Sequence, residues 1–370
     1  MKKYLFVLSV AALGFASCSN DNVIAENNTT GQQPREIAIF PLSQPSTRAA
    51  VQGTTFPIGN TMEVRAYKSA PATAGGYFAK TTFEREEITT DVYKWRGSTK
   101  QYWPLSASTI NFFAVSGAGV NAADITIADA LASATIKYDA TAANNTSKTA
   151  YSATTQSDIM YGFNRGSVTQ SGNTLTFPSE VGMTFNHALA LINFQIKASD
   201  AASTAIKIYK IELNGARYTG DLTITNTNAA TESSTWTAKV DWTPNDVVDN
   251  VQVPNIGNTT DPVALTTSYV PTNTNTETAS DWASLMIIPS TQTATTTDYG
   301  FTTFTIYYKL NGNDYTYTYA PTLSGSAPAL TAVQAGYKYT YQITMTLHEI
   351  LINPIVTAWT EQNTTNNVNF

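Results

Sequence analysis

Residues 35–48 read Arg-Glu-Ile-Ala-Ile-Phe-Pro-Leu-Ser-Gln-Pro-Ser-Thr-Arg. This stretch begins with the alternation of a β-strand, and its large apolar side chains are Ile37, Ile39, Phe40 and Leu42. Alternation places Ile37 and Ile39 on one face and the other two on the opposite face. Since both faces are apolar, the strand is expected to be covered on both sides.

The second part of the stretch is a loop that ends in a lone arginine. Prolines stop the strand, and Arg48 then precedes Ala49 among small residues, which is the kind of exposed segment that proteases cut. A strand tied on by such a loop can be cut free after folding, and its loss would leave a groove of unpaired backbone groups for another chain's strand. The alternative is a first strand followed by an ordinary surface arginine, and this stretch alone leaves both interpretations open.

Length and composition limit the possible functions. The chain has 370 residues, which suits two domains, and its net charge of −6 comes with no basic cluster, so nucleic acid is not expected as a partner. A single cysteine rules out a disulfide framework. The two histidines, His187 and His348, lie far apart, which leaves little for a histidine-based metal or catalytic site. His187 lies in an apolar run and is expected to be a satisfied, partly buried residue.

The N-terminus has the pattern of an export signal. Lys2 and Lys3 precede an apolar run over residues 4–15, which is too short to span a bilayer, and the sole cysteine follows as Ala16-Ser17-Cys18. This arrangement predicts a lipoprotein signal peptide over residues 1–17, with acyl chains such as palmitate on Cys18 and a polar tether over residues 18–35. The alternative is a plain secretory signal in which Cys18 is incidental.

Many short alternating segments separated by Gly, Pro and Asn predict an all-β protein of two sandwiches. The polar stretch at residues 197–204 suggests a boundary, with an N-terminal sandwich over 36–198 and a C-terminal sandwich over 199–370. Residues 205–213 alternate with an offset that suggests a bulge. Asn311-Gly-Asn-Asp314 is the strongest hairpin signal in the chain.

The sequence contains none of the motifs that mark a common enzyme. It lacks a Gly-rich phosphate loop, a paired-Cys motif, His-Glu-x-x-His and Gly-x-Ser-x-Gly, so no enzyme, cofactor or metal is predicted. The tryptophans are the remaining candidates, because an exposed indole can stack on a sugar. Trp103 and Trp359 lie in apolar runs and are predicted to be core residues. Freer candidates for sugar stacking, in polar surroundings, are Trp236, Trp242 and Trp282.

Several short motifs, in this order and spacing, resemble the fimbrillins, the type V pilins of the Bacteroidetes. The motifs that carry the resemblance lie at residues 16–18, 35–39, 47–49, 56–67, 102–104, 111–114, 158–161, 185–189, 285–289, 339–347 and 355–359. The resemblance implies two transthyretin-like Greek-key β-sandwich domains in tandem. It also implies a structural subunit of a cell-surface fimbria, or pilus, that supports adhesion.

The resemblance further implies a route of assembly. The precursor reaches the outer membrane as a lipoprotein, and an arginine-specific protease cuts it after Arg48. The first strand then leaves with the lipid on Cys18. The partners are other pilin subunits, including tip or anchor proteins, and the C-terminal strand of a neighbouring subunit fills the groove.

The predicted donor strand is the C-terminal segment. Residues 360–370 would span about 36 Å when extended. The apolar candidates for the donor strand are Ile355, Val356, Val368 and Phe370. The alternative function is a monomeric outer-membrane lipoprotein that keeps its lipid and binds a glycan or a host ligand.

Overall fold

The computed structural model describes residues 33–41, 61–68, 76–89, 92–116, 122–127, 133–139, 158–199, 205–217, 219–226, 238–244, 251–253, 256, 258–269, 284–289, 300–320, 333–347 and 349–358. Strands dominate these ranges, with a short 3-10 helix at Ala122–Asp124, and this confirms the predicted all-β class. No helix in the described ranges is long and apolar enough to cross a membrane.

The strands follow one another through the whole chain. Those of the first half are β1 Ala38–Pro41, β2 Thr61–Lys68, β3 Gly76–Thr89, β4 Val92–Gly97, β5 Ser108–Ser116, β6 Ile125–Ile127, β7 Ser133–Asp139, β8 Met160–Ser171, β9 Thr174–Thr176, β10 Val181–His187 and β11 Ala190–Ala198. Those of the second half are β12 Ile206–Asn214, β13 Thr219–Asn226, β14 Ala238–Pro244, β15 Val251–Gln252, β16 Val263–Ala264, β17 Ser284–Ile287, β18 Thr303–Leu310, β19 Asn313–Tyr319, β20 Tyr337–Met345 and β21 Ile350–Ala358.

An eight-stranded sheet forms the N-terminal part of the molecule. Its order is β10-β1-β4-β3-β2-β5-β8-β9, and a further pairing of β10 with β8 closes the sheet on itself. The enclosed apolar interior includes Ile37, Ile39, Val64, Phe112 and Met183, each from a strand whose alternation sends one face inward.

A second core begins on the outer face of this sheet. Strand β5 is buried on both faces, because Phe112 and Ala114 line the first interior while Phe113 and Val115 join the second core. A four-stranded sheet, β14-β13-β7-β6, contributes to the same second core through Ile136 and other apolar side chains. The second core then continues into the C-terminal half without interruption.

Two further sheets pack together in the C-terminal half, with the orders β17-β11-β20-β21 and β15-β12-β18-β19. Aromatic rings join them: Phe194 of β11 lies 5.1 Å, centroid to centroid, from Phe304 of β18, which lies 5.1 Å from Tyr341 of β20. Strand β20 buries Tyr339 and Tyr341 at 1% exposure, because alternate residues of a strand share one face.

Two local predictions are confirmed. The register of β12 against β18 shifts between Ile208 and Lys210, which is the predicted bulge. Strands β18 and β19 form the predicted hairpin, and its two turn residues, Asn311 and Gly312, have φ angles of 51° and 84°. Positive φ at both positions is what a type I′ turn requires.

Two of the sheets combine strands from both sides of the predicted boundary between residues 198 and 199. Strand β11 pairs in parallel with β20, and β7 pairs with β13. The division into sandwiches over 36–198 and 199–370 therefore stays a prediction, with extensive pairing across it.

Candidate functional site

The first strand occupies an interior position in its sheet, although it is the first element of the described chain. On one side Ile39 lies opposite Trp95 of the antiparallel β4, and on the other it lies opposite Val181 of the parallel β10. Both backbone edges of β1 are therefore paired. An N-terminal strand added at a sheet edge would have only one paired edge.

Pairing begins before β1 itself. Glu36 forms an antiparallel bridge with Tyr102. The backbone N–H of Ile37 donates to the carbonyl of Gln101 at 2.7 Å, and the N–H of Trp103 donates to the carbonyl of Arg35 at 2.9 Å. The bonded segment thus runs from Arg35 to Pro41, and its neighbours are the 101–103 segment followed by β4.

The described side chains of the bonded segment, from Ile37 to Ile39, are buried on both faces. Ile37 and Ile39 are 0% and 1% exposed and point into the closed sheet, while Ala38, on the opposite face, is 6% exposed. Trp103 packs in the same interior, edge-on to Phe112 with centroids 5.7 Å apart. Removal of residues 35–41 would therefore leave an apolar groove between β4 and β10, and we call this groove the slot.

Charged side chains cross the outer face of the same slot. Lys94 of β4 and Glu180, which precedes β10, form an ion pair of 3.1 Å between Nζ and Oε1. Register places these two residues on either side of β1, so the ion pair links the two walls across the strand. Glu36 contacts Arg96 of β4 at 3.7 Å. All four side chains are partly exposed, so these pairs contribute little stability but favour one register of the enclosed strand.

Many of the predicted site residues lie outside the described residues. They are Cys18, Leu42, Arg48, Ala49, Val368 and Phe370. Phe40 belongs to β1, and its backbone pairs with Gly182 of β10. The predictions of lipidation and cleavage therefore remain predictions.

The two described residues of the predicted donor strand lie far from β1 in the fold. Ile355 and Val356 belong to β21, where they pair with Thr340 and Tyr339 of β20. Strand β21 is the last in its sheet, and among the described strands it has a neighbour on one edge only. Val356 is 43% exposed. The donor role of both residues stays a prediction.

The tryptophan and histidine predictions have mixed outcomes. Trp103 is buried at 1% exposure, as predicted. Trp242 is not the free sugar-stacking candidate that its polar sequence surroundings suggested: it is 7% exposed, and its indole N–H donates to the carbonyl of Ala188 at 2.9 Å. That prediction was wrong because a polar neighbour in sequence does not share the face of Trp242: Thr243 is exposed while Trp242 is buried. Trp236, Trp282 and Trp359 lie outside the described residues.

His187 is confirmed as a satisfied buried residue. Its Nδ1 lies 3.0 and 2.9 Å from the two carboxylate oxygens of Asp158, which is also buried. Within the described part of the chain, no three His, Cys, Asp or Glu side chains come close enough together to hold a metal ion.

The charged residues that flank the slot could not be identified from the sequence. No motif marks Lys94, Arg96 or Glu180, and all three are distant in sequence from β1. The signal that was present, an apolar strand with both faces covered, points to the enclosed strand but not to its neighbours.

Comparisons with known proteins bear on the whole chain. A family model described as fimbrillin-like matches residues 47–359. No curated protein matches the chain. Among solved structures, a fimbrial protein from Bacteroides vulgatus is similar at 16% identity and a TM-score of 0.46, covering 88% of this chain and 100% of that one. The tip fimbrial protein Mfa3 from Porphyromonas gingivalis, solved with a C-terminal truncation, is similar at 12% identity and a TM-score of 0.44, with coverage of 88% and 100%.

Proposed function

The chain belongs to the fimbrillin-like family, and from this premise we propose that it is a structural subunit of a cell-surface fimbria that polymerises by strand exchange and supports adhesion. The partners are other fimbrial subunits. In this proposal β1 is a temporary strand that completes the fold of the precursor, and a strand from another subunit later replaces it.

The observation that carries the proposal is the position of β1 between β4 and β10. Its removal would expose two unpaired backbone edges and the slot that now holds Ile37 and Ile39. Burying each of these side chains contributes about 1.5–3 kcal/mol, and an incoming strand regains that contribution together with the hydrogen bonds of both edges. An open slot of this kind is a strong driving force for association with an extended segment.

Processing after Arg48 separates the strand from the body without unfolding the body. The lipid on Cys18 holds the precursor at the outer membrane, and once the chain is cut after Arg48 the lipid remains attached only to the displaced strand. Five arginines follow Arg48, and all are partly buried, which makes them poor alternatives for an arginine-specific protease. Arg217 lies outside the strands, and the other four lie within strands: Arg65, Arg85, Arg96 and Arg165.

Replacement by a C-terminal segment gives an open-ended assembly. The contact joins the C-terminal end of one subunit to the N-terminal sheet of the next. Such a head-to-tail contact does not close on itself, so repetition produces a fibre. The donor candidates predicted from the sequence, Ile355, Val356, Val368 and Phe370, all belong to that C-terminal end.

Limited digestion tests the proposal. A protein of residues 19–370 is treated with an arginine-specific protease, the new N-terminus is identified by mass, and the product is run unboiled on a denaturing gel. We expect a cut between Arg48 and Ala49 followed by a ladder of stable oligomers. The control is Arg48→Lys, which the protease cannot cut at this position and which should stay monomeric. A cut protein that remains monomeric would contradict the proposal and favour a membrane-anchored binding protein.

A further inference from the structure

The first and last strands of the described chain carry the same short sequence pattern. Residues 36–41 read Glu-Ile-Ala-Ile-Phe-Pro, and residues 349–354 read Glu-Ile-Leu-Ile-Asn-Pro. The first, second, fourth and sixth residues are identical. The differences fall at the third and fifth positions, which share one face of a strand.

Three of the four repeated residues at the first strand have described side-chain surroundings, and the fourth, Pro41, is placed by its backbone register. Glu36 contacts Arg96 at 3.7 Å. Ile37 and Ile39 are fully buried in the interior. Pro41 ends the strand opposite Met183 of β10. The repeated residues therefore match what the slot recognises: an acidic group at its entrance, two isoleucines inside and a proline where pairing ends.

In β21 three of the four repeated residues are more exposed than their counterparts at the first strand, while Pro354 is buried. Ile350 and Ile352 pack only partly against the second core. Leu351 is 53% exposed, whereas Ala38, the matching residue of β1, is 6% exposed. Glu349 is exposed in the turn between β20 and β21, where its N–H donates to Thr346 Oγ1 at 2.8 Å. Strand β21 therefore has exposed apolar surface that would be removed from water if the strand moved to a buried position.

Backbone pairing is rearranged by the move. Strand β21 pairs only with β20 among the described strands, over nine register positions from Ile350 to Ala358. In the slot, β1 pairs at three positions with β10 and at two with β4, and Glu36 adds a bridge to Tyr102. The driving force for the transfer is therefore the burial of apolar side chains in the open slot rather than a gain in backbone pairing.

We infer that residues 349–354 of a second copy of this chain occupy the slot of β1, in the register that puts Glu349, Ile350, Ile352 and Pro354 in the places of Glu36, Ile37, Ile39 and Pro41. This inference rests on the proposed function and specifies the donor segment, which begins before Ile355. Leu351 takes the place of Ala38 beneath the ion pair of Lys94 and Glu180. The larger side chain displaces that ion pair outward, so the slot loosens at this point.

Crosslinking tests the register. Arg96 lies directly opposite Ala38, so the inferred register puts Leu351 of the donor opposite Arg96. The protein of residues 19–370 contains no native cysteine, and Leu351→Cys combined with Arg96→Cys is cut, assembled and treated with a short bismaleimide. The matched control is Val356→Cys with Arg96→Cys, because Val356 is similarly exposed on the same strand but would lie roughly 16 Å farther along it.

The outcomes separate the inference from the proposed function. We expect covalently linked oligomers when Leu351→Cys is combined with Arg96→Cys. We expect none when Val356→Cys is combined with Arg96→Cys. If the unsubstituted protein forms oligomers but the crosslink follows Val356→Cys, the register is wrong while fimbrial polymerisation stands. If the cut, unsubstituted protein forms no oligomers at all, the proposed function fails and the inference fails with it.

A charge exchange gives a second measurement that needs no cysteine. Glu349→Arg and Arg96→Glu should each slow the appearance of the ladder, and the two changes together should restore its rate, because the opposite charges again face each other. Failure of the double variant to assemble faster than both single variants would overturn the inferred position of Glu349.

Discussion

Trp103 is the residue that connects the first strand with the interior it helps to fill. Its backbone N–H bonds to the carbonyl of Arg35, and its ring packs edge-on to Phe112. The opposite side of the ring lies against Gly166 of β8, where a Cβ atom would come within 2.4 Å of Trp103 Cη2. Glycine is therefore required at position 166 by the close approach of the indole.

Gly166→Ala should destabilise the protein by about 1–3 kcal/mol, because the added methyl group forces the buried indole or the strand to shift. Urea unfolding followed by tryptophan fluorescence measures the loss. Gly172→Asn is the control: Gly172 has a φ of +58° with nothing within 4 Å of an added Cβ, and Asn tolerates that conformation. Equal destabilisation by both variants would contradict the close-contact explanation.

Tyr307 makes a pH-dependent contribution to the free energy of unfolding. Its hydroxyl donates to Glu212 Oε2 at 2.6 Å, and this hydrogen bond, with a smaller effect of burial, raises the pKa of Tyr307 to about 12. A raised pKa in the folded state means that the stabilisation is complete below the unfolded value of about 10 and is lost as pH rises through the folded value.

Tyr307→Phe should therefore flatten the fall in the free energy of unfolding between about pH 10 and pH 12, because the titrating hydrogen bond is gone. Glu212→Gln should flatten it in the same way, since a neutral amide does not oppose ionisation of the phenol as a carboxylate does. Urea unfolding at a series of alkaline pH values checks both variants. A pH profile parallel to that of the unsubstituted protein would show that Tyr307 does not titrate in this window.

At the scale of the element, β1 has only four residues, yet we expect it to contribute more per residue to the free energy of unfolding than a longer edge strand. It is enclosed on both faces and paired on both edges, whereas β21 is longer but has a neighbour on one edge only among the described strands, and its Leu351 and Val356 are exposed. Substitution of a large apolar side chain by alanine should therefore lower the free energy of unfolding more in β1 than in β21.

Ile39→Ala should lower the free energy of unfolding of the uncut chain by about 2–5 kcal/mol, because it leaves a cavity in the closed interior. Leu351→Ala is the matched change on β21, and at 53% exposure it should cost no more than about 0.5 kcal/mol. Chemical denaturation of uncut residues 19–370 compares the two. A similar loss for both would show that β1 is no better buried in solution than an edge strand.

At the scale of the whole molecule, strands with two buried faces join the two cores. Strands β2, β5 and β8 direct one face into the closed N-terminal sheet and contribute residues of the other face to the second core, which extends to Met345. The hydrogen bond from Trp242 to Ala188 adds a polar link within that second core. Neither part of the chain can lose its packing without exposing a face that belongs to the other.

We expect the uncut chain to unfold in one cooperative transition, with coincident fluorescence and circular dichroism curves and equal calorimetric and van't Hoff enthalpies. Trp242→Phe should lower stability by about 1–3 kcal/mol, because it leaves the buried Ala188 carbonyl without this donor, and should do so without splitting the transition. Two resolved transitions in the unsubstituted protein would mean that the two cores unfold independently.

Much of the fold could be predicted from local sequence, because alternation, turns and bulges depend on neighbouring residues. The bulge in β12, the hairpin turn at Asn311 and Gly312, and the half-buried face of β20 all follow from such patterns. The burial of β1 could also be predicted from the sequence, since a strand with two apolar faces must be covered on both sides. The burial of Trp242 could not, because its polar neighbour in sequence, Thr243, does not share its face.

Local sequence alone is enough to predict the all-β class, the positions of many strands and one unusually apolar strand near the N-terminus. The position of this strand between β4 and β10, and the meeting of Lys94 and Glu180 across it, become visible in the folded chain. Alternation fixes which face of a strand is buried, whereas the neighbours of a strand depend on contacts between segments far apart in the chain.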